Sequence, residues 1–109
     1  IPFEELPNLY NPPEGFIVTA NHRTLGKSYK YHDLIARIYV PFRAKRIQDL
    51  IAANPKMTLN DSSDIQMDTF SVLNSRFARE IVNSKAASDE TIKILQGWDG
   101  RMNPDSQAA

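Results

Sequence analysis

A chain of 109 residues closes one modest hydrophobic core at most, and its 41% hydrophobic and 24% charged residues do not call for disorder. Thirteen basic and thirteen acidic side chains cancel, so no global field draws the chain to nucleic acid or an anionic membrane. With no cysteine there is no disulfide framework and no thiolate chemistry, and no apolar run nears the roughly 20 residues a membrane-crossing helix needs.

In chain order, Ile1 to Pro13 holds Pro2, Pro7, Pro12 and Pro13, which excludes a helix or central strand and implies an extended approach. Turn formers Asn11, Pro12, Pro13 and Gly15 then lead into Phe16, Ile17, Val18 and Thr19, an aromatic and β-branched run expected to form a short strand. Asn21 falls at its end. A carboxamide there either caps a turn or presents its NH2 donors beyond a rigid element. Thr24 to Lys30 contains Gly26 and no apolar periodicity, and reads as a loop.

A helical pattern opens near Tyr31 to Asp33 and runs through Leu34, Ile35, Ile38 and Tyr39 until Pro41 interrupts it. A second helix is expected from Pro41 or Phe42 to Ala53, ended by Asn54 and Pro55. Thr58 and Asp61 resemble a capping box and open a long amphipathic stretch, in which Gln66, Phe70, Leu73, Phe77 and Ile81 recur on one face. Ser88, Asp89 and Glu90 start a further helix with Ile92, Leu95 and Trp98 inward, ending near Gly97. Asn103 to Ala109 reads as the truncated start of another. The expected fold class is mainly α, about four helices plus one short strand, in a single segment. Its parts are 1–30, the extended approach, strand and loop that carry Asn21; 31–102, the helical region; and 103–109. The absence of an initiator Met or a leader pattern suggests a piece of a longer chain.

His22 and His32, ten residues apart, match no common zinc spacing, and the four glycines form no phosphate loop. Arg37, Arg43, Lys45 and Arg46 make one basic cluster, which as residues alone reads as a solvated helix face.

The run Asn-Pro-Pro-Glu-Gly-Phe-Ile-Val-Thr-Ala-Asn (11–21) resembles the segment of the penicillin acylase family that carries an oxyanion-hole asparagine. Pro-Phe-Arg-Ala-Lys-Arg-Ile (41–47), Ile-Gln-Met-Asp (65–68) and Gly-Trp-Asp-Gly-Arg-Met (97–102) follow in that family's order, so the resemblance covers nearly the whole chain. These enzymes are N-terminal nucleophile hydrolases, in which an autoproteolytically exposed Ser attacks an amide carbonyl and its own α-amine takes the proton. The resemblance assigns an oxyanion donor to Asn21. Arg46 matches the arginine that holds that asparagine, with Arg43 as the alternative.

Asp33 resembles an aspartate that ligates a structural calcium in several members; read from its position alone, it is a helix-start carboxylate. No cofactor is implied for catalysis. The implied parent is an amidohydrolase of four-layer αββα fold, periplasmic or extracellular, acting on a linear carbon–nitrogen amide bond of a small molecule. Its large subunit would contain this segment, and the remainder of the acylase chain would be its main partner. Ile1 has no nucleophilic atom, so the segment alone is expected to be inactive and, with its apolar faces bare, to self-associate. The alternative is a catalytically silent helical interaction module.

Overall fold

Local capping chemistry sets most of the element boundaries. The computed structural model describes residues 1–32 and 40–109, so the helix expected across Tyr31 to Tyr39 lies, from Asp33 on, outside the described residues. The chain divides into two units, Ile1–Asp49 and Leu50–Ala109.

In the first unit Pro2 precedes a single 3-10 turn, Phe3–Glu5. Tyr29 Oη donates to Glu5 O at 3.0 Å and Lys30 Nζ pairs with Glu5 at 3.1 Å, which ties the proline-rich start to the 26–32 loop. Helix α1 (Phe42–Ala53) begins directly after Pro41, whose carbonyl accepts the Lys45 N–H at 2.9 Å. Proline suits that edge because the first helical N–H groups have no intrahelical acceptor. Pro55 bars continuation beyond Asn54. The expected boundaries of this helix and the observed ones agree.

The expected strand differs. Phe16 to Thr19 is extended but pairs with no other described segment, so its backbone groups have no ladder. The alternation of a strand survives nonetheless: Phe16 and Val18 are half-buried and Ala20 is buried, whereas Ile17 and Thr19 face solvent. β-propensity supplies an extended backbone, but a strand also needs a neighbour for its N–H and C=O groups.

In the second unit the Thr58 capping box is complete. The Thr58 hydroxyl accepts the Asp61 N–H at 3.2 Å, and the Asp61 carboxylate accepts the Thr58 N–H at 2.6 Å, opening α2 (Leu59–Gln66). The long amphipathic stretch is then corrected to two helices. It breaks at Met67 to Ser71, and Ser71 caps a new helix, α3 (Val72–Ser84), by accepting the Asn74 N–H at 3.2 Å. Phe70 therefore lies between helices instead of on one. Lys85 closes α3 in the left-handed conformation, φ 53°, and Ser88 caps α4 (Asp89–Gln96), which stops at Gly97 as expected.

The break at 67–71 has a tertiary cause. Ser71 N–H donates to Gly100 O at 2.8 Å and Met102 N–H to Thr69 O at 3.0 Å, an isolated antiparallel bridge centred on Phe70 and Arg101. Arg101 Nη1 pairs with Asp68 at 3.2 Å, and Trp98 Nε1 donates to Arg101 O at 2.9 Å. The Asp68 carboxylate is only 10% exposed, so this pair is partly shielded from solvent. Residues 68–71 and the 97–102 motif, separate in sequence, thus form one clasp at the α3–α4 pair. Asn103 to Ala109 beyond it holds a turn closed by Ser106 N–H on Asn103 O at 3.1 Å.

Candidate oxyanion-stabilising site

The site is built at the end of the extended segment in the first unit. Asn11 (φ 44°) and Gly15 (φ 76°) turn the chain into that segment, and Asn21 (φ 55°) turns it out again. Asparagine is among the few residues other than glycine that occupy this left-handed region readily, because its short polar side chain bonds locally. The turn aims the Asn21 carboxamide outward, past the buried Ala20.

The first turn of α1 supplies the partner. Arg43 Nη2 donates to Asn21 Oδ1 at 2.9 Å and to the Ala20 carbonyl at 3.2 Å. A guanidinium has donors only, so this contact fixes which end of the carboxamide faces Arg43: Oδ1 is held, and the two Nδ2 hydrogens point elsewhere. Among the described residues no acceptor meets Nδ2. The Ala20 N–H in turn donates to His22 Nδ1 at 3.4 Å. Two residues past Asn21, Arg23 has a buried Nε with no acceptor. The arrangement is a donor-rich surface to which, among the described residues, no acidic side chain is bonded. Chemically, it can receive an anion or a carbonyl oxygen that gains negative charge.

The resemblance favoured Arg46 as the arginine beside Asn21, with Arg43 as the alternative. The guanidinium that reaches Asn21 is that of Arg43; Arg46 stands half-buried one turn further along α1 and has contacts of its own. Asp33 lies outside the described residues, and among those described no three His, Cys, Asp or Glu side chains gather as a metal site. No described helix is long and apolar enough to cross a membrane. In the second unit a groove of ≈ 350 Å³ between α3 and α4 is lined by Ser75, Arg79 and Trp98 among others, but no His, Asp or Glu lines it to activate the Ser75 hydroxyl.

The model of the penicillin amidase family matches residues 1–109, the whole chain. The chain belongs to the penicillin amidase family. It is 34% identical, over 113 aligned residues, to the penicillin acylase 2 proenzyme of Pseudomonas sp. (strain SE83). All of this chain is covered in that comparison and 14% of the relative, so the chain spans about one-seventh of the relative's length. No solved structure matches it. In this penicillin amidase chain the 97–102 motif forms one side of the clasp, and the 65–68 motif contributes Asp68 to the other.

Proposed function

We propose that this chain is the part of an acylase-type amidohydrolase that supplies an oxyanion donor from the Asn21 side chain, with Arg43 as the residue that orients it. In this reading a serine elsewhere in the enzyme, bearing its own free α-amine, attacks the carbonyl carbon of a linear amide. The α-amine takes the hydroxyl proton and returns it to the departing amine. Negative charge collects on the carbonyl oxygen as the tetrahedral intermediate forms, and the Asn21 Nδ2 donors stabilise it there. The substrate is a small-molecule amide, and this segment also forms part of the pocket wall.

The observation that carries the proposal is the one-sided capture of the carboxamide. Arg43 occupies Oδ1, and the Nδ2 hydrogens remain available at an exposed position beside two guanidinium-bearing residues. A side chain that merely capped a turn would direct its own atoms at the local backbone, whereas Asn21 bonds Arg43, 22 positions away in sequence. The full-length enzyme, assayed against phenylacetyl, glutaryl and long-chain acyl amides, is expected to hydrolyse at least one of them. Its Arg43→Leu variant is expected to retain KM but lose about tenfold or more in kcat, because the donor is misplaced where charge develops. Equal loss in KM and none in kcat would speak for ground-state binding alone.

A further inference from the structure

We propose that His22 is a positioning residue for Asn21 and that it acts through an unprotonated Nδ1. The inference rests on the reading of Asn21 as an oxyanion donor. Ala20 is buried, so both of its backbone polar groups need partners. It finds both in side chains: its N–H donates to His22 Nδ1 at 3.4 Å, and its carbonyl accepts from Arg43 Nη2 at 3.2 Å. The same Nη2 holds Asn21 Oδ1 at 2.9 Å. His22 and Arg43 therefore grip the two ends of the residue that precedes Asn21, and the left-handed turn at Asn21 hangs between them.

An N–H donor requires a lone pair on Nδ1, which fixes the neutral imidazole as the Nε2–H tautomer. A proton on Nδ1 converts this acceptor to a donor. The buried Ala20 N–H then loses its partner, and a second positive charge enters a turn already faced by Arg43 from α1 and flanked by Arg23 in its own segment. Among the described residues no carboxylate bonds His22 to offset that charge. Acid thus loosens the turn and, with it, the aim of the Asn21 donors. The effect falls on kcat more than on KM, since the donors matter most once charge has developed.

Two variants separate the acceptor from the proton. His22→Asn keeps an acceptor atom two bonds from Cβ but takes no proton; His22→Leu has no acceptor at all. In the full-length enzyme kcat is expected to fall about tenfold on acidification. That acid limb disappears in His22→Asn, and His22→Leu runs near the acid rate at every pH. Independently of turnover, nitrogen NMR of the wild-type protein at pH 8 is expected to show the Nε2–H tautomer. The same acid limb in wild type and His22→Asn, or an Nδ1–H tautomer, would overturn the inference while leaving the Asn21 reading in place. Undiminished kcat in Asn21→Gly would remove the reading itself.

Discussion

In the proposed reading Asn21 has two jobs, turn and donor, that a single substitution confounds. Its φ of 55° lies where an alanine is strained, so Asn21→Ala removes the donors and also costs about 1 to 2 kcal/mol of backbone energy. Asn21→Gly removes the carboxamide, donors and Arg43 acceptor together, without the backbone strain, because glycine occupies that region without penalty. The Gly variant is therefore expected to melt close to wild type while the Ala variant melts lower, which thermal denaturation of the two side by side measures. Arg43→Leu should destabilise the fold as well, by about 1 to 3 kcal/mol, since the Ala20 carbonyl loses its donor. What was legible in the sequence here is the turn at Asn21, through the chemistry of asparagine. Its partner was not: Arg43 lies 22 positions away, and nothing local distinguishes it from Arg46, which shares its helix face.

At the scale of elements, the helix boundaries that the sequence revealed are those set by side chains acting within one turn, namely Thr58 with Asp61, Ser88, and Pro41 and Pro55 around α1. The break between α2 and α3 was hidden because its cause is the distant 98–102 loop, which claims the backbone of residues 69–71. The strand reading failed for a related reason, since pairing cannot be read from one strand. Two tests follow here. The Thr58 hydroxyl and backbone N–H hold the Asp61 carboxyl below its ordinary value. A depressed folded value means that this stabilisation of α2 is present at neutral pH and is lost as pH falls through the folded value. Thermal melts followed by circular dichroism from pH 7 downward should show this loss, and Asp61→Asn should flatten that part of the profile. In the clasp, Gly100 has φ 83°, and a Cβ there would collide with the Phe70 ring. Gly100→Ala is expected to destabilise the second unit by about 2 to 5 kcal/mol, strain and overpacking together, as chemical denaturation would register. A change under about 1 kcal/mol would mean that the Phe70–Gly100 contact is absent in solution.

For the whole molecule, the apolar surface left exposed is the informative quantity. Ala20, Ala44 and Ala78 are the buried apolar residues among those described, while Phe77 and Ile81 of α3 remain 58% and 38% exposed. Helices form, but their apolar faces are left without the cover that usually stabilises them. The isolated chain is accordingly expected to self-associate and to bind an apolar dye, with sedimentation at rising concentration as the check; a strict monomer that binds no dye would contradict this. The most direct measurement of the central claim is steady-state kinetics of Asn21→Gly in the full-length enzyme, with active sites titrated so that rates refer to folded molecules. An oxyanion donor predicts a kcat about a hundredfold to a thousandfold lower with KM nearly unchanged; a kcat within a few-fold of wild type would contradict it.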